Sequence, residues 1–359
     1  MFRNDFAPLA RVNAALDPFT RPGPLAPPLT STANPIVNVL LGLGQNPAAL
    51  NQSTFNRDIY VTPGRSYAGE TEDYGVALEA NWDLGGAQLT SITGYREYSN
   101  TQASDTDYTQ VDLLYRAPGP DAGAREFKTF SQELRLQGEA FGGVLDWLVG
   151  GYFANEKLET RDNLRFGNQY GAFANCRIVL AINPLLANPT AGNCLGPNVA
   201  ALTAANGGAG AFGAATPLII GGINTLATVT DRGSLGDVYN QESNNFAVFT
   251  HNIVNITDRL NLTLGLRYTN ETKDFSATFA NDNTACPANR ALLSPLLGNA
   301  ALAGLAGGLI ALSCQGNSTS ELNGVSISDD RDEDEFTGTA ILSFKPTDRL
   351  LTYASYSRG

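Results

Sequence analysis

The chain has 359 residues, with 23 Lys+Arg against 35 Asp+Glu and a formal charge of −12. That balance argues against a nucleic-acid partner, whose phosphates call for a basic surface. Only 16% of residues are charged, below the ~25% usual in soluble domains, and no run of about 18 apolar residues offers a helical membrane span.

Residues 1–71, rich in Pro and Asn, read as a long extracellular loop. Met1-Phe2-Arg3-Asn4-Asp5-Phe6 has no apolar core behind a basic start, so no signal peptide is read there. Strands follow. Tyr74–Trp82 sets Val76, Leu78 and Ala80 on one face and Glu79 on the other. Gln88–Tyr98 reads as a strand whose faces are not resolved by pattern alone. Phe127–Gly138 places Phe130, Leu134 and Leu136 opposite Ser131, Glu133 and Arg135. Asp146–Glu156 is rich in aromatics and Gly, and Asn244–Asn255 puts Phe246, Val248 and Val254 on one side.

The clearest segment is Leu260–Thr269. Leu260, Leu262, Leu264, Leu266 and Tyr268 alternate with Asn261, Thr263, Gly265, Arg267 and Thr269. Period-2 alternation over about 9–11 residues suits a tilted membrane strand with lipid on one face and a wet lumen on the other. Phe336–Lys345 and Leu350–Arg358 bring the count to roughly eight strands.

The connections alternate in length. Four are tight: Asp83-Leu84-Gly85-Gly86, Ala140-Phe141-Gly142-Gly143, Asn255–Arg259 and Lys345–Arg349, the last two sharing Thr-Asp-Arg-Leu. Gly and Asp supply the conformations a hairpin needs. Between the hairpins lie long loops at 97–126, 157–243 and 273–333. Loops of that size without regular structure are uncommon in compact soluble domains; short turns on one side and long loops on the other are the outer-membrane arrangement. Asn198–Asn224, rich in Gly and Ala, is expected to be a mobile low-complexity tract. The predicted fold is therefore all-β: an antiparallel transmembrane β-barrel segment over 72–359, with short periplasmic turns and long extracellular loops.

Chemistry-bearing residues are few. Cys176 and Cys194 fall in one long loop, and Cys286 and Cys314 in the next. Pairing within each loop predicts two disulfides, as suits an oxidising compartment; the rival four-Cys metal site has no CxxC spacing to support it. The acidic run Asp329–Glu335 lacks the spaced carboxylates and Gly of a Ca²⁺ loop, and reads as a solvated loop end entering a strand. His251, the sole His, has no sequence partner for catalysis or metal binding and is expected to face the lumen. No phosphate loop or nucleophile elbow is present, so neither an enzyme nor a resident cofactor is expected. Tyr95, Tyr98, Trp147, Tyr152, Phe153, Tyr268, Tyr353 and Tyr356 are candidate interfacial-girdle aromatics. Tyr170, Arg177 and Arg331 are loop residues that either touch a ligand or, as most exposed loop residues do, only water.

Four phrases, in order, resemble barrel strands of TonB-dependent outer-membrane receptors: Ser91-Ile92-Thr93-Gly94-Tyr95-Arg96, Phe130–Leu136, Leu264–Thr269 and Tyr353–Gly359. The resemblance covers residues 72–359. It implies a 22-stranded barrel closed by an N-terminal plug, lying in outer-membrane lipid and importing an iron–siderophore complex or another scarce nutrient. Energy would come from a TonB–ExbB–ExbD complex acting through the plug. No TonB box, plug or closing aromatic strand is read in this sequence, so it is expected to be an internal piece of such a receptor. The alternative is a passive porin-like or small eight-stranded barrel.

Overall fold

The computed structural model describes residues 35–51, 57–119, 123–315 and 319–359; the remainder of the expected 1–71 loop lies outside the described residues. In chain order the elements are helix α1 (Pro35–Gly42) and strands β1 (Gly69–Asp83), β2 (Ala87–Gln102), β3 (Ser104–Asp105), β4 (Leu114–Arg116), β5 (Gly123–Ala140), β6 (Leu145–Asp162) and β7 (Leu164–Phe166). Helices α2 (Tyr170–Ile182), α3 (Val199–Ala204) and α4 (Thr216–Leu226) precede β8 (Asp237–Thr257) and β9 (Leu260–Thr278). Helices α5 (Ala285–Leu293) and α6 (Ala303–Ser313) precede β10 (Ser326–Thr347) and β11 (Leu350–Arg358).

Eight strands form one antiparallel sheet in the order β1-β2-β5-β6-β8-β9-β10-β11, each pairing with its neighbour in sequence among the long strands. The sheet is open, with β1 and β11 at its edges. The tight connections fall where the turn residues stand: Leu84–Gly86 between β1 and β2, and Phe141–Val144 between β5 and β6. The Thr-Asp-Arg-Leu repeat gives two matching turns, each preceded by a register shift, at Asn255/Thr257 and at Phe344/Thr347. These two turns touch: Lys345 N donates to Arg259 O at 2.8 Å, and Arg259 Nη1 donates to Pro346 O at 3.2 Å.

Register settles which residues share a face, because directly paired residues point the same way. Leu264 pairs with Asn252 and Ala340, and Leu266 with Thr250 and Gly338. The same face collects Val76, Leu78, Phe130, Leu134, Val149, Phe153, Phe246, Val248, Phe336 and Leu342, all exposed apolar side chains. On the opposite face the strands carry their most enclosed residues, Thr90, Ala154, Ser243, Ala247 and Ala277. Enclosed small residues mark the lumen side; exposed large apolar groups mark the lipid side. Gly150 is required by close packing, since a Cβ there would stand 2.4 Å from the Phe249 ring.

Register also resolves β2, whose faces pattern alone leaves open. Ser91 and Thr93 lie on the lipid face beside Gln132. They satisfy one another: Thr93 Oγ1 donates to Gln132 Oε1 at 2.6 Å and Gln132 Nε2 donates to Ser91 Oγ at 3.0 Å. Internal satisfaction is what lipid demands of polar groups.

The strands are longer than expected. Seven of the eight in the main sheet run 15–22 residues, about twice what a bilayer needs. The connections shrink to 103–122, 163–236 and 279–325 in place of 97–126, 157–243 and 273–333. Beyond the bilayer both strand faces meet water, so apolar alternation stops while backbone pairing continues. The acidic run shows this most clearly. It is not a loop end but the paired body of β10, from Asp329↔Phe275 to Glu335↔Thr269.

The aromatic candidates divide. Tyr95, Trp147, Phe153, Tyr268 and Tyr356 stand on the lipid face, whereas Tyr98, Tyr152 and Tyr353 stand on the lumen face by register. The outer aromatics cluster across strands, with Phe130–Phe153 centroids 6.4 Å apart and Tyr268–Phe336 4.8 Å apart; Lys128 and Lys157 follow the first pair along β5 and β6.

The face assignment makes a direct prediction. Leu264→Arg should lower folding stability in lipid vesicles by about 2–4 kcal/mol, the cost of a cation on the lipid side near the midplane. Arg267, three residues along on the lumen face, should tolerate Lys with little change in the same refolding titration.

Candidate functional site

Two surfaces can meet a solute: the lumen face of the wall and the structure built by the long connections. On the wall, Arg267 stands with its guanidinium carbon 5.7 Å from both the Tyr152 and the Phe249 ring centroids, and its Nε donates to Thr269 Oγ1 at 3.0 Å. Around it Glu133 pairs with Arg135, and Lys273 with Glu271 at 3.1 Å. His251 lies on this face, as expected, opposite Leu148 and Gly265. Such a surface is wet, charged and aromatic. It can hold polar solutes or a polar protein segment by hydrogen bonds and cation–π contact.

The connections are not irregular loops. They fold together into a cap with its own core: Val179 of α2, Ile219, Ile223 and Leu226 of α4, Leu293 of α5 and Leu309 of α6 are fully buried in one cluster. The tract expected to be mobile, Asn198–Asn224, contains α3 and most of α4 and supplies this core. Its glycines serve close packing. A Cβ on Gly222 would sit 2.8 Å from Leu293 Cδ1, so glycine lets α4 and α5 approach. Tyr170, expected as an exposed loop residue, is only 4% exposed; its ring packs 4.1 Å from Phe166 and its hydroxyl donates to Leu312 O at 2.7 Å. Arg177 is exposed on α2, and Arg331 lies in β10, paired with Glu333.

Disulfides brace the cap within each connection. Cys176 of α2 is bonded to Cys194, and Cys286 of α5 to Cys314 just past α6, spanning 18 and 28 residues. Among the described residues no group of three or more His, Cys, Asp or Glu is placed to hold a metal.

Charged contacts tie the connections to each other. Arg65, ahead of β1, donates from Nε to Asp112 Oδ1 and from Nη2 to Asp231 Oδ1, both at 2.7 Å. Its guanidinium carbon lies 3.4 Å above the Tyr115 ring centroid, and the Tyr115 hydroxyl donates to Asp231 Oδ1 at 3.2 Å. Burial opposes the Arg65 charge, but the hydrogen bonds to Asp112 and Asp231 outweigh it and raise its pKa. Arg65 thus joins the segment before β1 to two connections. Arg165 joins the second to the third, donating to Ser234 O and Asp282 Oδ2 at 3.0 Å each. Arg116 grips Asp162 through both oxygens at 2.9 and 3.0 Å.

None of these arginines stood out in the sequence, because their partners lie 46 to 166 residues away. A local signal did exist in Asp105-Thr106-Asp107-Tyr108-Thr109, whose spacing suits side-chain turns. Asp107 accepts from Thr109 N at 2.9 Å and from Leu114 N at 2.8 Å. Asp105 accepts from Thr62 N at 2.8 Å. Burial pushes the Asp107 carboxyl up to about 6, with the nearby Asp105 charge adding to it.

The wall with its capped mouth matches a known family. The model for the TonB-dependent receptor-like β-barrel matches residues 115–359. The chain belongs to that family. Its members are transport receptors of the bacterial outer membrane. Among solved structures, the ferric yersiniabactin uptake receptor FyuA from Yersinia pestis aligns at TM-score 0.47 and 9% identity, covering 84% of this chain and 30% of that one. The siderophore receptor PiuA from Acinetobacter baumannii aligns at 0.40 and 14% identity, covering 83% and 34%. The open form of the ferric-catecholate import receptor Fiu from E. coli K12 aligns at 0.44 and 11% identity, covering 84% and 37%. The chain therefore spans about a third of the length of these receptors. No curated protein sequence matches it.

Two measurements check the cap. Replacing Cys176 and Cys194 together by Ser should cost about 3 kcal/mol on the chain-entropy account, and Cys286 with Cys314 slightly more, read as loss of cap protection in hydrogen exchange. Asp107 gives a pH signature. Unfolded, it ionises near pH ~4; folded, it keeps its proton to about 6, so the folded state binds more protons between those values. The contribution of Asp107 to cap stability should be greatest below ~4, fall as pH rises through about 6, then level off. Asp107→Asn should flatten that slope in the exchange rates of the Leu113 and Leu114 amides.

Proposed function

We propose that the chain is part of the barrel wall of a TonB-dependent receptor lying in outer-membrane lipid and importing a scarce nutrient, with an iron–siderophore complex as the cargo. The observation that carries this reading is the membership of a receptor family together with a wall that has one lipid face and one charged, aromatic lumen face. Residues 72–359 act as wall and cap. The described residues ahead of β1 go with the connections, since Arg65 and the buried Val39 of α1 pack into the cap. Force would come from a TonB–ExbB–ExbD complex acting through a plug, and the chain has no enzymatic step of its own.

The test is uptake. A strain lacking the gene should take up radioactive iron from a panel of ferric siderophores more slowly for at least one member. That uptake should collapse when the proton gradient is dissipated. Uptake that persists without the gradient supports a passive pore, and unchanged iron uptake with a defect on another nutrient replaces the cargo.

A further inference from the structure

A small cavity of about 200 Å³ lies where the cap meets the wall, at the passage from β6 into β7 and the start of β8. We propose that it is a subsite for a protonated amine on a short flat or apolar body, carried by the solute whose uptake is proposed above and resting on that reading.

The cavity's apolar walls are Leu114, Leu164, Phe166 and Tyr239. Three charged residues also line it, and two of them are already neutralised. Asp162 is held through both oxygens by Arg116. Arg165 is engaged by Asp282 and by backbone carbonyls. The third is Asp237, whose residue is only 4% exposed. Its Oδ1 accepts from Ala280 N at 3.1 Å, yet it makes no ion pair with any described residue. It also stands directly opposite Asp162 in the β6–β8 ladder.

Like charges across a strand pair are unfavourable, and a buried carboxylate without a countercharge is costly. A ligand ammonium removes both costs; a neutral group of the same shape does not. Burial, with the Asp162 charge beside it, raises the Asp237 pKa, as an unbalanced carboxylate should behave. A bare metal ion fits less well, since no described group of three ligating side chains exists. The volume is below the ~300–1,000 Å³ of clefts that take drug-sized ligands, so the cavity holds one end of a larger molecule. Asp162, Asp237 and Tyr239 lie on the lumen face by register, which places the cavity on the inward route.

The natural protein, purified in detergent, can be titrated calorimetrically with tyramine and with 4-ethylphenol, which is nearly the same size and has no charge. Tyramine should bind at least tenfold more tightly. Asp237→Asn should bring tyramine to the level of the phenol, and Leu164→Trp, which fills the void, should abolish binding of both. Equal binding of the two probes to the unaltered protein overturns the proposal, as does undiminished tyramine binding in either variant. If Asp237→Asn loses its near-ultraviolet dichroism, the probe comparison in the unaltered protein and the Leu164→Trp result decide alone. Tyramine binding in a protein that fails the uptake test keeps the subsite and removes the transport reading. Intact uptake without tyramine binding removes the subsite only.

Discussion

The structure depends on a continuous antiparallel ladder whose backbone groups are satisfied strand to strand, leaving side chains to face two different solvents. Lipid offers no hydrogen bonds, so a membrane wall is possible only if every N–H and C=O in it finds a neighbouring strand. From β1 to β11 the pairing is unbroken in sequence order, and the only register shifts in the main sheet occur beside the two Thr-Asp-Arg turns. Once the ladder is set, side-chain direction follows with period 2. Leu264 must face outward if Arg267 faces inward. The Ser91–Thr93–Gln132 group shows the same rule applied to side chains: three polar residues stand on the lipid face because they bond each other.

Above the bilayer the constraint changes. The ladder continues, but both faces are hydrated, and charged residues replace the apolar ones on the outer side from Lys128 and Lys157 upward. Here the strands serve as stalks for the cap. The cap holds the structure's main apolar core, which a barrel wall does not build for itself because its outer face is solvated by lipid. Helix packing through Gly222, two disulfides and the arginine contacts of Arg65, Arg116 and Arg165 make three separate connections into one body. The cap and the wall are thus one structure, joined at the ends of the strands.

Much of the wall was legible in the sequence. Leu260–Tyr268 declared its faces by strict alternation, the turns declared themselves by Gly and Thr-Asp-Arg, and the loop positions of the cysteines anticipated bonds that the structure forms. These signals are local: a strand's pattern and a hairpin's turn are written within about ten residues. The acidic stretch of β10 was misread because a strand wet on both faces carries no apolar period. The Gly/Ala tract was misread for the converse reason. Its helices look featureless in sequence, and become a core only when Leu293 and Leu309 close over Ile219 and Ile223.

By itself, then, the sequence determined the all-β wall, its hairpin order and which side of each clear strand meets lipid, since period and turn chemistry act over short range. Tertiary structure alone decided the cap, the Arg65 contacts and the pairing of Asp162 with Asp237 between β6 and β8. Those features join residues tens to more than a hundred positions apart, and no local pattern records which distant carboxylate an arginine will meet. Asp237 is the sharpest case. In sequence it is one acidic residue among 35 Asp and Glu; only folding leaves it buried, opposite a second carboxylate and without a cation among the described residues.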